Sequence, residues 1–178
     1  MKKLMFGIFT LTVMIASQSI IGQSSVTKKA DKSIVEIAVS NDNFSTLVAA
    51  LKAADLVNAL SGDGPFTVFA PTNDAFAKID VKTLNSLLEP KNKSLLAAIL
   101  TYHVVPGNLM ASDVVKALKK GGGTVEVTTL NGQKLKVVKG DKGIWLVDQN
   151  GNKSPIVKTD IVAKNGVIHV IGDVVMPK

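Results

Sequence analysis

The apolar residues of this chain change their spacing at Thr124, and that change limits the possible folds more than any single residue does. Ahead of it, Phe44, Leu47, Val48 and Leu51 form one stripe and Leu95, Leu96, Ile99 and Leu100 another, the spacing that buries one side of an α-helix. Beyond it the period is two. Val125 and Val127 alternate with Glu126 and Thr128, and Lys134 to Val138, Ile144 to Val147, Ile156-Val157, Ile161-Val162 and Val167 to Ile171 follow as strands. Asn131-Gly132, Asn150-Gly151 and Asn165-Gly166 stand between them as hairpin turns of type I′. A helical first part followed by successive hairpins predicts an α+β chain built on an antiparallel sheet.

Start and stop signals agree with that division. Ser33 and Glu36 have capping-box spacing ahead of Ile37 and Ala38, and Asn43, Thr72, Asp80 and Ser94 are placed to cap later helical turns. Phe66 to Ala70 is a short strand closed by Pro71, and the chain reverses at Pro106-Gly107. A helix from Ser112 to Leu118 ends in Lys119, Lys120 and a left-handed Gly121. No repeat of 20 to 50 residues is visible, and no internal stretch has the composition of a linker.

The N-terminus reads as an export signal. Lys2 and Lys3 precede an apolar run from Leu4 to Ala16, followed by small and polar residues. Thirteen residues are too few for a spanning helix, which needs about 20; the alternative is an uncleaved anchor, in which Ile20 and Ile21 extend the apolar stretch past Ser17 to Ser19. The expected organisation is a signal peptide over residues 1–23 with cleavage between Ala16 and Ser25, a polar tether over 24–32, and one domain over 33–178. Export places the chain in the periplasm, at the cell surface or in the medium, with no integral span once the signal is removed. The chain has no cysteine, which excludes disulfides, thiolate metal sites and a cysteine nucleophile. About 155 residues then have to be held by their core, enough to bury roughly 70% of the unfolded surface.

The formal charge of +7 comes from lysine alone, with no arginine, and aromatic residues make up 4% of the chain. Nucleic-acid readers depend on arginine forks and on aromatic stacking, so the lysines describe a basic, solvated surface, compatible with loose attraction to anionic envelope polymers or lipid head groups.

Candidate chemistry is sparse. His103 and His169 are the side chains that titrate near neutrality, yet neither belongs to a zinc spacing and no G-x-S-x-G accompanies them. Each sits in an apolar, strand-like run and is expected to be structural. Asp148, Asn150 and Asn152 match the first ligand positions of a calcium loop, but Lys153 replaces the required glycine and Thr159 the bidentate glutamate. A hairpin turn accounts for them. Gly121-Gly122-Gly123-Thr124 follows its lysines instead of preceding them, so it is no phosphate loop. No metal, cofactor or catalytic set is expected.

Three segments carry a resemblance. Gly64-Pro65-Phe66-Thr67-Val68-Phe69-Ala70-Pro71-Thr72-Asn73-Asp74-Ala75-Phe76 resembles the first signature block of fasciclin-like domains, and Asn165 to Pro177 resembles the second. Between them, Leu100 to Gly107 resembles the tyrosine-histidine segment of that family. The resemblance implies a β-sandwich or wedge flanked by several helices. It further implies non-catalytic adhesion to a protein or polysaccharide of the cell surface or extracellular matrix. Some animal members engage integrins through the tyrosine-histidine segment or through an Asp-Ile pair. The matching partner-binding positions are Tyr102, His103, Asp160 and Ile161, with framework the competing role for the first two and a solvated strand end for Asp160. An alternative that the resemblance allows is a carrier of a small apolar ligand, such as a pigment or lipid.

Overall fold

The structure, a computed structural model, describes residues 30–140 and 143–178. The expected signal peptide, and the tether ahead of residue 30, lie outside the described residues. The described chain runs α1 (Ile34–Val39), α2 (Ser45–Ala53), α3 (Val57–Ser61), β1 (Phe66–Pro71), α4 (Asn73–Ala77), α5 (Val81–Leu88), α6 (Lys93–Tyr102), β2 (Val104–Pro106) and α7 (Ala111–Lys120). Then come β3 (Thr124–Thr128), β4 (Lys134–Gly140), β5 (Gly143–Val147), β6 (Lys153–Ala163) and β7 (Gly166–Ile171).

The strands form one sheet in the order β2-β1-β7-β6-β5-β4-β3. Strands β3 to β7 make the antiparallel meander that the alternating pattern predicts. To it the structure adds one parallel pair, β1 on β7, in register from Phe66↔Gly166 to Pro71↔Ile171. Pro71 is therefore the last residue of its strand. The two segments expected around Ile156 and Ile161 are a single long strand, β6. Its start pairs with β5 and the rest with β7, and two register breaks between Ile156 and Ile161 bend it. The sheet's two ends approach each other where the Leu130 N–H donates to the Val104 carbonyl at 2.7 Å, which gives the wedge.

Strands β1 and β7 are buried on both faces. Val68, Ala70, Ile168 and Val170 lie under the helices, in a cluster with Phe44, Leu47, Leu51, Phe76, Leu96, Ile99 and Leu100. Phe69 and Ile171 point the other way, into a second cluster with Tyr102, Val114, Leu118, Leu135, Val137 and Leu146. Each such side chain contributes on the order of 1.5–3 kcal/mol relative to exposure. Helices α1 to α6 thus cover one side of the central pair, while α7 and the inner face of β3 to β5 cover the other.

Local signals hold in part. Ser33 and Glu36 form the full capping box, and Thr72 and Asp80 cap α4 and α5. Asn43 does not cap: Asn41 accepts from its N–H and starts a single 3-10 turn, after which α2 begins without a side-chain cap. Nor does Ser94, because the 3-10 turn Pro90–Asn92 leads straight into α6. The left-handed residue after α7 is Gly122, φ 63°, and the Gly123 N–H returns to the Leu118 carbonyl at 2.7 Å, the Schellman arrangement one residue later than expected.

The hairpins also differ in type. Type I′ needs positive φ at both central residues; here Gly132 and Gly151 are left-handed, and no described asparagine has positive φ. Thr129 and Gln133 close a three-residue loop at 2.9 Å, as Asp148 and Asn152 do at 3.0 Å. The Asn131 side chain accepts from the Gln133 N–H at 3.0 Å, which holds the asparagine back and leaves the left-handed step to glycine. Lys164 and Asn165 form the last turn, with Gly166 already paired in β7.

Candidate binding surface

Tyr102 and His103 end α6, where the helical stripe through Leu96, Ile99 and Leu100 carries them into the interior. The strand-like setting expected for His103 is corrected: it is the cap of that helix, with its N–H donating to Leu100. Tyr102 has no exposed surface and its hydroxyl donates to the Lys134 carbonyl at 3.0 Å. Burial pushes its phenol up to about 12. His103 is 3% exposed. Its Nδ1 lies 2.8 Å from the Ile99 carbonyl and its Nε2 accepts from the Val175 N–H at 3.3 Å. Those partners assign the proton to Nδ1, and burial lowers the imidazole to about 4. A neutral ring with both nitrogens bonded to backbone ties helix to C-terminal segment and has no lone pair left for a substrate.

Asp160 and Ile161 lie elsewhere, inside β6 at its bend. Asp160 takes a left-handed backbone, φ 58°, and is half-buried, so the expected solvated strand end is corrected to a bulge within the strand. Its carboxylate accepts from the Ala111 N–H at 2.8 Å, at the first residue of α7, where a negative charge complements the helix dipole. Its own N–H donates to His169 Nδ1 at 3.3 Å, and His169 Nε2 lies 2.7 Å from the Leu109 carbonyl. His169 also stacks on Phe69, centroids 5.7 Å apart. Ile161 packs under the helical layer. The two expected pairs therefore share no hydrogen-bond partner, and each anchors a different joint.

Other joints are made by residues whose role spacing alone did not indicate. Asn165 accepts from the Ile34 N–H at 2.9 Å and donates to the carbonyls of Leu60 and Gly62 at 2.8 and 2.9 Å. Asn73 spans Asp42, Ser45 and Thr46. Asp148, 4% exposed, accepts from the N–H groups of Asn150, Asn152 and Met176. That settles the Asp-x-Asn-x-Asn run as a turn whose carboxylate is spent on backbone.

Concave space divides sharply by polarity. Among the described residues, enclosed apolar cavities hold about 20, 10 and 10 Å³, far below the roughly 300 Å³ at which small-molecule pockets begin. The large concavities are open and polar. One, about 720 Å³, runs between Ser33, Glu36, Asp63, Asn108 and Lys164; another, about 320 Å³, is lined by Lys78, Asn152, Lys153 and Asp173. Among the described residues no group of three or more His, Asp or Glu side chains is placed to hold a metal ion, and no helix is long and apolar enough to cross a membrane.

A helical layer over a buried parallel pair, with a wedge-shaped meander behind it, is the architecture of a fasciclin domain. The fasciclin domain model matches residues 42–177, and the chain belongs to that family. It is 46% identical to Protein sll1483 of Synechocystis sp. over 97% of this chain and 91% of that protein. To transforming growth factor-beta-induced protein ig-h3 of Sus scrofa it is 35% identical, over 81% of this chain but only 19% of that longer protein. A solved pair of such domains from the insect cell adhesion molecule fasciclin I superposes with a TM-score of 0.72 at 19% identity, over 81% of this chain and 50% of that one. That likeness concerns the fold.

Proposed function

We propose that this chain is an exported adhesion module that binds a protein or polysaccharide of the cell surface or surrounding matrix through its outer surface and performs no catalysis. The observation that carries the reading is that the interior is already committed. Both histidines have their ring nitrogens bonded to backbone, and the apolar cavities are water-sized. A filled core leaves the exterior for recognition. The basic and apolar order of residues 1–16 supports export, with the domain over 33–178, and membership of the fasciclin family supports adhesion. Of the four positions carried over by resemblance, Asp160 and Ile161 retain some surface for a partner, while Tyr102 and His103 shape the framework behind it. The test is retention of the exported chain on its own cells, on isolated envelope polysaccharide and on extracellular matrix. Enrichment on at least one supports the reading, and absence of enrichment on all three overturns it.

A further inference from the structure

The outer face of the meander is the one broad sheet surface that no helix covers among the described residues. Strand register places Thr124, Val138, Trp145 and Pro155 in one row across β3 to β6, and Glu126, Lys136, Val147 and Lys153 in the next. Residues in register share a face. The alternate positions Val137, Leu146 and Ser154 are buried beneath, so these rows point outward. None of Val138, Trp145 and Val147 belongs to either core cluster.

Trp145 is the only tryptophan of the chain. It is half-buried, and its indole rests on Gly140: a Cβ there would lie 2.6 Å from Cδ1 and Nε1 of the ring. Glycine at that position leaves room for the ring to lie down on the sheet. Val138 and Pro155 flank the ring in its row, and Val157, 67% exposed, extends the apolar strip.

Lysines frame that strip. Lys134 and Lys136 share the single carboxylate Glu126, at 3.0 and 3.7 Å, and no described ion pair engages Lys153. Lys136 and Lys153 sit in one row two strands apart, about 10 Å, with Trp145 in the adjacent row between them. The ring is half-buried against Gly140 instead of standing clear as an inserted anchor, and Lys136 and Lys153 lie in the row beside it. A flat ring with spaced ammonium groups matches a sugar chain that carries a carboxylate at intervals: the pyranose C–H face lies on the indole and the acid groups meet the lysines.

We propose that this face, centred on Trp145 and bounded by Lys136 and Lys153, binds acidic polysaccharide. The proposal rests on the adhesion reading and supplies its partner class. The full chain is titrated with sodium alginate, with dextran as the neutral control, following the emission of its single tryptophan and retention on immobilised alginate. Alginate is expected to shift the emission and retain the chain, and dextran to do neither. Trp145→Ala should weaken retention at least about tenfold with an unchanged far-ultraviolet spectrum, while Trp145→Phe retains part of it. The double change Lys136→Gln with Lys153→Gln, which leaves the ring in place, should weaken retention comparably. No binding of alginate, equal binding of dextran, or salt-sensitive retention that Trp145→Ala leaves intact would each overturn the proposal. So would binding to vesicles of phosphatidylglycerol in place of alginate. Adhesion to cells or matrix by a chain that ignores alginate would remove this partner and leave the adhesion reading standing.

Discussion

Strands β1 and β7 are buried at nearly every residue, whereas β3 alternates between half-buried and exposed positions and β4 between buried and exposed ones over its first four residues. The first pair lies between two layers and needs apolar side chains on both faces. The second lies at the rim with water on one side. The signature blocks that mark the family coincide with β1 and β7, so what identifies the domain is its framework. The face proposed to bind acidic polysaccharide lies in the alternating half, where every second residue is free to vary without opening the core.

The sharpest way to break the comparison is to place one methyl group in each half. Gly166 has φ 156°, and a Cβ on it would run into the backbone carbonyl of Phe66 across the parallel pair. Gly166→Ala is expected to cost more than about 4 kcal/mol, read as a collapse of the urea midpoint or failure to fold.

The next effect follows pH. His103 is lowered to about 4 from 6.5 in the unfolded chain. Between those values the unfolded chain takes up the proton and the folded one does not. Stability is therefore complete above about pH 6.5 and falls as pH drops toward 4, by roughly 3 kcal/mol in all. Urea unfolding of the wild-type chain and His103→Gln across this window checks it. The variant should show a shallower slope, whatever its stability at neutral pH, and an equal slope would assign the acid sensitivity to other groups.

In the alternating half the same methyl addition should be mild. Gly132 is left-handed, φ 81°, but nothing lies within 4 Å of its missing Cβ. Gly132→Ala is expected to cost about 1–2 kcal/mol from backbone strain alone, and a loss as large as that of Gly166→Ala would erase the distinction between the halves. Smallest of all is Lys134→Gln, which removes the nearer ion pair to Glu126. Both partners are largely exposed, so thermal unfolding should move by less than about 0.5 kcal/mol. A larger loss would mean that the outer face stabilises the fold instead of serving a partner.

Local signals were legible where the deciding interaction is itself local. Ser33 with Glu36, Thr72 and Asp80 were readable as caps because each side chain reaches an amide only a few residues away. Asn43 and Ser94 misled for the complementary reason: a 3-10 turn ahead of each helix supplies the entry, and whether such a turn forms depends on how Phe44 and the Pro90 segment dock. The Asn-Gly steps announced turns correctly and their type incorrectly, since side-chain bonds such as that of Asn131 to Gln133 add a residue to the loop. For the candidate binding positions, spacing could show only that Tyr102 and His103 adjoin apolar neighbours. Their burial follows from β4 and Val175, which meet them from far along the chain.

By itself the sequence determined the helical and alternating halves, the absence of thiol chemistry and the membership of the three blocks in one family. Each of these is a matter of residue type and short-range spacing. Only the tertiary structure decided that β1 lies parallel to β7, that His103 and His169 spend their nitrogens on backbone, that Asp160 holds the start of α7 from a bulge, and that Trp145 lies on an uncovered face. Those outcomes depend on contacts between segments distant in sequence, and no period or motif records which segments will meet.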